Sequence, residues 1–162
     1  MVSVSIKAKC PETLVSSMAA WALAKLKGEG YVKKLRGYAK RLRPGGLRFM
    51  LVDALARLGE EQAIREVLIR AGDGRDPRQY EALVTISETS EKRGAPVLRE
   101  VLARSLRGRA SVDAGLLAAF TLGKLQDGEA LDVLSLAVRK GPLEVRRAAA
   151  RALGQLGFVE AE

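Results

Sequence analysis

The residues of this sequence that could do chemistry are cations gathered in one short segment. Residues 30–43 contain six Lys or Arg residues and no acidic residue. Over the wider stretch 25–48, nine cations stand against Glu29 alone, which is +8 of the chain's net +9. Like charges three or four residues apart repel, so an unbroken set of cations predicts a partner that neutralises them. The six cations are Lys33, Lys34, Arg36, Lys40, Arg41 and Arg43.

Other kinds of chemical site have few candidate residues. The chain has no histidine and one cysteine, Cys10, which excludes a disulfide framework, a multi-cysteine zinc site and a serine–histidine relay. The Gly- and Asp-containing segment 72–77 lacks the endings of phosphate and calcium loops, so its aspartates are interpreted as helix caps. We therefore expect no cofactor, no metal and no enzymatic activity.

The cations lie on one side of a predicted amphipathic helix over 30–43. At about 100° per residue, the apolar residues of this segment share the opposite face and are expected to pack in a core. A helix of this kind has three interpretations: a docking surface, an ordinary solvated face, or a helix lying on a membrane. The membrane interpretation is the weakest, because the apolar face is needed for packing. That face comprises Tyr31, Val32, Leu35, Tyr38, Ala39 and Leu42.

The elements that position this segment form an internal repeat. Apolar residues make up 48% of the chain and aromatic residues 4%, a Leu-, Ala- and Val-rich composition that favours an all-α fold. Second helices are predicted over 30–43, 61–71, 94–107 and 128–140, with Gly and Pro at the joints. The chain therefore predicts nine helices, as four pairs plus one. Similar segments place the anchors Leu23, Leu55, Ile86, Leu122 and Leu153 at intervals of 32, 31, 36 and 31 residues.

The repeat resembles a known family, most clearly at A-A-F-T-L-G-K-L in 118–125 and A-A-R-A-L-G-Q-L in 149–156. These segments, within 111–157, resemble the short phycobilisome-lyase type of HEAT-like repeat. The resemblance implies a right-handed α-solenoid of about four and a half helix pairs, forming one domain over 11–162. It also implies that second helices line a concave side. Residues 1–10 are expected to be an arm or a short strand.

The resemblance and the charge together favour a non-catalytic interaction module. Its expected partner is an acidic protein surface in a larger complex, or alternatively a nucleic acid or ribonucleoprotein held by phosphate contacts. A HEAT-like DNA glycosylase is a minor alternative, for which Asp53, Asp113 and Asp132 offer no distinctive context. No signal peptide and no apolar run of roughly 20 residues is present, so a cytoplasmic protein is expected.

The predicted last helix, 143–157, has no second helix to pair with. Solenoid ends need a polar cap, so we expect a docked partner or self-association at this helix. The apolar residues that the interpretation leaves without a partner are Ala148, Ala149, Ala152, Leu153 and Leu156.

Overall fold

The computed structural model describes residues 12–157, and only the backbone of residues 12–15. Of the described residues 81% are helical, and they form nine α-helices and no strand, which confirms the all-α prediction and the helical repeat. The expected arm at 1–10 lies outside the described residues. The handedness of the repeat stays a prediction.

The nine helices follow the predicted order of four pairs and a single last helix. The four second helices, α2, α4, α6 and α8, each begin within three residues of the positions that the sequence predicts. Short 3₁₀ turns, Lys92–Gly94 and Gly128–Ala130, precede α6 and α8. The helices are α1 (Glu12–Lys27), α2 (Glu29–Arg41), α3 (Gly46–Arg57), α4 (Glu61–Gly72), α5 (Gln79–Thr89), α6 (Ala95–Leu106), α7 (Val112–Leu125), α8 (Leu131–Lys140) and α9 (Leu143–Gln155).

The chain divides into two compact units, Met1–Glu66 and Val67–Glu162. In the first unit α3 packs against both α1 and α2, and its buried side chains include Val52, Ala54 and Leu55. This packing fixes the apolar face of α2 and leaves its other face to solvent. The expectation of a single domain over 11–162 stays a prediction.

In the second unit α7 packs against α5, α6 and α9, and α8 packs against α6 and α9. Small residues lie where α7 meets α9, with Gly123 and Ala152 both buried, which allows the two helices to approach closely. Side chains also donate across the repeat to backbone carbonyls near helix ends. Arg104 Nη2 donates to the Gly72 carbonyl at 3.0 Å, and Lys124 Nζ donates to the Ser87 carbonyl at 2.6 Å.

The first helices of the pairs and α9 end in turns that share one backbone feature. A residue with positive φ lies within two residues of the end of α1, α3, α5, α7 and α9. After α3, α5 and α7, the next amide donates to a carbonyl five residues earlier at 3.1–3.2 Å, as in a Schellman motif. The turn residues are Gly28, Gly59, Ser90, Gln126 and Gly157, at intervals of 31, 31, 36 and 31.

These turns correct the register of the first repeat. The buried anchors Leu55, Ile86, Leu122 and Leu153 each lie four residues before their turn residue. The matching position before Gly28 is Ala24, which is buried, and not the predicted Leu23, which is 40% exposed. The following leucine, Leu26, is 83% exposed. The predicted interval of 32 was wrong by one residue, and one residue turns a helix by about 100°.

Candidate interface for an acidic partner

The candidate site is built on α2, which is held at both ends by backbone geometry. Gly28, with φ of +70°, separates α2 from α1, and the α2 amides at Tyr31 and Val32 bond back to the Gly28 carbonyl. At the other end Leu42 is extended, and Pro44 follows two residues later. An extended residue cannot continue the helix, so α2 ends at Arg41.

Five of the six predicted cations are exposed. No acidic side chain among the residues that the structure describes makes an ion pair with any of these five, within 4.0 Å of the charged nitrogen. We call this set the cationic surface. It belongs to α2 and the two residues after its end, and it consists of Lys33, Lys34, Lys40, Arg41 and Arg43.

The sixth predicted cation, Arg36, is neutralised inside the molecule. Its Nε donates to Glu60 Oε2 at 3.0 Å and its Nη2 to Glu60 Oε1 at 2.7 Å, while Glu29 Oε1 lies 3.6 Å from Nη2. The hydrogen bond and charge of Glu60 raise the pKa of Arg36 above its already high ordinary value. Arg36 is thus not a free cation, which the sequence interpretation missed because Glu60 is 24 residues away.

The Arg36–Glu60 pair has a counterpart in the second unit. Arg99 of α6 lies 3.6 Å from Asp127 and also hydrogen-bonds Glu129. Glu60 and Asp127 occupy the same position in their repeats, directly after the left-handed turns at Gly59 and Gln126. The repeat alignment therefore contained a signal for this acid position, and it assigns Arg36 a structural role between successive repeats.

A shallow cleft lies beside the cationic surface, between α2 and α4 and above α3. It encloses about 420 Å³ including its open mouth, and Val52 and Leu55 contribute its apolar part. Its acids are engaged, because Glu60 pairs with Arg36 and Glu66 with Arg48 at 2.8 Å. Lys40 is the one cation of the cleft lining without an ion pair among the described residues.

The aromatic residues of α2 do not both lie where the sequence predicts. Val32, Leu35 and Ala39 are buried as expected, but Tyr38 is 58% exposed. Tyr38 precedes the buried Ala39 by one position, about 100° on the helical wheel, so it falls outside the core. Tyr31 is half-buried, and the Lys27 ammonium lies 5.7 Å from its ring centre, as in a cation–π contact.

The other cations of the second helices lie in different local surroundings. Arg70 is buried, and Arg104 is half-buried with a bond to the Gly72 carbonyl. Arg65 lies 3.9 Å from Glu61. Arg139 and Lys140 lie in the last turn of α8, where cations interact favourably with the negative end of the helix dipole.

Among the described residues, the remaining candidate sites are a turn and isolated carboxylates. In segment 72–77, Asp73 and Asp76 accept the amides of Arg75 and Arg78 at 2.9 and 2.7 Å, as Asx turns do. Within residues 12–157, no three His, Cys, Asp or Glu residues could hold a metal ion together. Asp53 is buried, whereas Asp113 and Asp132 lie exposed in the first turns of α7 and α8.

The last helix is less open than predicted. Ala149, Ala152 and Leu153 are buried, and Ala148 and Leu156 are half-buried. α9 packs on α7 and α8, so these residues lie inside the second unit and are not left without a partner. Self-association through 143–157 stays a prediction, and the exposed face that it would use carries Arg146, Arg147 and Arg151.

The helix order, the recurring left-handed turns and the cation-bearing second helix define an all-α helical-repeat protein. The family model described as PBS lyase HEAT-like repeat matches residues 145–161, and this match supports a HEAT-like repeat protein. That repeat family is generally non-catalytic. No significant match is found among curated proteins. Within the described residues, no helix is both long and apolar enough to cross a bilayer.

Proposed function

We propose that this protein is a non-catalytic HEAT-like interaction module, which docks an acidic partner through the cationic surface of α2. The observation that carries the proposal is the contrast between Arg36, which two acids neutralise, and the five cations beside it, which no acid among the described residues neutralises. A solvated helix normally mixes the signs of its charges to avoid repulsion of about 0.2–0.5 kcal/mol per pair. The repeat fold places acids beside Arg36, Arg48 and Arg99, whereas none of the described acids pairs with a cation of this surface.

The cationic surface is also presented by a helix that is packed in place, which favours docking. The apolar face of α2 packs on α3, so the cations are presented by a helix held on the body of the first unit. Binding then requires ordering of side chains only, which keeps the entropic cost of association low. A partner with a complementary negative surface would associate faster and would bind in one specific register. We propose that this docking occurs within a larger complex.

The test is charge reversal with a matched control. Lys34→Glu, Lys40→Glu and Arg41→Glu are combined in one variant. Its control combines Arg146→Glu, Arg147→Glu and Arg151→Glu, three exposed cations of α9. Three reversals of two charge units each take the net charge of either variant from +9 to +3. Affinities for a poly-glutamate peptide and for fluorescein-labelled oligo-dT are measured by anisotropy at low salt.

We expect the wild type to bind at least one of these polyanions, and the α2 variant to lose about tenfold or more in affinity, since an ion pair becomes a repulsion. The α9 variant should bind nearly as the wild type does. Unchanged binding by the α2 variant, or an equal loss in both variants, contradicts the proposal. Circular dichroism establishes that both variants are folded.

A further inference from the structure

An exposed tyrosine lies within the cationic surface. Tyr38 is 58% exposed, and Lys34 and Arg41 lie four residues before it and three residues after it on α2. Residues at these spacings are neighbours on a helix surface, with roughly 5–6 Å between Cβ atoms. Lys34, Tyr38 and Arg41 therefore form one row of about 10 Å along the helix, with the aromatic ring between two cations.

From this row we infer that the acidic partner is a single-stranded nucleic acid, which rests a base on Tyr38 and its phosphates on Lys34 and Arg41. The inference rests on the proposed function and names the chemistry of the partner. Interleaved aromatic and cationic side chains are the means by which proteins bind single strands, because every base has a face that can stack. An acidic protein surface explains the cations but does not require an exposed aromatic ring between them.

The alternatives to a single strand fit the surface less well. In a duplex the bases are already stacked and paired, so Tyr38 could contact one only after it had been unstacked at a cost of a few kcal/mol. A lipid surface would need an apolar helix face, but Val32, Leu35 and Ala39 are buried against the protein. A single strand alone makes use of both the charge and the exposed ring.

The shape of α2 allows a strand to lie close to the helix. Gly37 belongs to the same exposed side, and a Cβ added to it would meet no atom within 4 Å. Glycine in the middle of a helix is unfavourable, and nothing inside the molecule requires it here. The absence of a side chain leaves room for a sugar–phosphate backbone next to Tyr38, between Lys33 and Arg41.

The experiment measures binding of fluorescein-labelled oligo-dT by the full chain, with the matching dA·dT duplex and poly-glutamate as comparison probes. Tyr38→Ala and Tyr38→Leu remove the ring, and Tyr38→Phe keeps it. Tyr80→Ala serves as a control, because Tyr80 is an exposed tyrosine of α5 in the second unit. Lys34→Ala removes one charge without removing the ring.

We expect oligo-dT to bind more tightly than the duplex and poly-glutamate. Tyr38→Ala and Tyr38→Leu should weaken oligo-dT binding by about fivefold or more, the typical loss of one stacked base. Tyr38→Phe and Tyr80→Ala should bind nearly as the wild type. Lys34→Ala should reduce the slope of log affinity against log salt by about 0.7, whereas the Tyr38 variants should not change this slope.

Two results would overturn the inference and leave the proposed function intact. One is oligo-dT binding that is unaffected by loss of the Tyr38 ring, and the other is tighter binding of poly-glutamate than of oligo-dT. In both cases the charge-reversal variant of α2 would still lose affinity. If that variant kept its affinity for every probe, the inference and the proposed function would fail together.

Discussion

Arg36 and Glu60 join α2 to the residue before α4 through two hydrogen bonds of 3.0 and 2.7 Å. This fork-to-fork geometry holds the planar guanidinium in one orientation, which a lysine at the same position could not reproduce. Because Glu60 directly follows the turn at Gly59, the pair links one second helix to the start of the next. The pair thereby gives Arg36 a structural role, which distinguishes it from the exposed cations of the cationic surface.

The Arg36–Glu60 pair predicts a split between stability and binding. Arg36→Met keeps most of the aliphatic stem and removes the charge, so we expect a lower melting temperature with nearly unchanged affinity for polyanions. The Lys33→Met variant should keep its melting temperature and lose affinity for polyanions. Thermal unfolding and anisotropy titrations measure the two effects, and a loss of affinity in Arg36→Met as large as in Lys33→Met would count against the structural role.

Two helical glycines predict opposite responses to alanine. A Cβ at Gly37 would enter open space, so Gly37→Ala should stabilise the protein by about 0.5–1 kcal/mol. A Cβ at Gly123 would come within 2.7 Å of Ala152 Cα, so Gly123→Ala should destabilise by about 1–3 kcal/mol. Urea unfolding of the two variants measures both values. Destabilisation by Gly37→Ala would show that α2 has an internal contact at this position.

The corrected register predicts that Leu23 and Leu122, which look equivalent in the sequence, contribute differently to the free energy of unfolding. Leu122 is fully buried, so Leu122→Ala should cost about 2–5 kcal/mol of unfolding free energy. Leu23→Ala should change it by no more than about 0.5 kcal/mol, as exposed substitutions do. If Leu23→Ala cost as much as Leu122→Ala, the original interval of 32 residues would be right and the corrected one wrong.

Glu91 predicts a pH-dependent part of stability. The hydrogen bond from Arg93 lowers the pKa of Glu91 below its ordinary 4.5. A lowered folded-state pKa contributes stability that is present above about pH 4.5 and lost as the pH falls through the folded value. Because the pair is partly exposed, the loss should not exceed about 1 kcal/mol.

Glu91→Gln should remove this part of the pH dependence, and Arg93→Met should remove most of it as well, because both variants break the same interaction. Unfolding free energies between acid and neutral pH measure it. A pH profile that stays as steep in Glu91→Gln as in the wild type would assign the dependence to other carboxylates.

The sequence predicted the repeat and its helices because their signals are local. Pro44 and the apolar periodicity of 30–43 lie within or next to the helix that they define. The positions that it missed depend on other parts of the chain or on the edge of a helix face. Arg36 meets an acid 24 residues away, and Tyr38 is at the margin of the apolar side, where one step of about 100° decides between core and solvent.

The first repeat shows the same limit at the level of register. Leu23 was chosen as an anchor because it is a leucine, whereas the structure places the smaller Ala24 at that position. The positive φ of Gly28 indicates the register of the first repeat better than the size of the anchor side chain does. The exposure of the five cations was easier to predict, since no acid among the described residues pairs with them.

The bonds from Arg104 to the Gly72 carbonyl and from Lys124 to the Ser87 carbonyl have a consequence for the history of such a chain. Each donor lies 32 or 37 residues after its acceptor, about one repeat, so each bond joins a carbonyl near a helix end to the following repeat. A gain or loss of one whole repeat preserves these partnerships. A cut elsewhere removes the side-chain donors, and we therefore expect such arrays to change length in whole repeats.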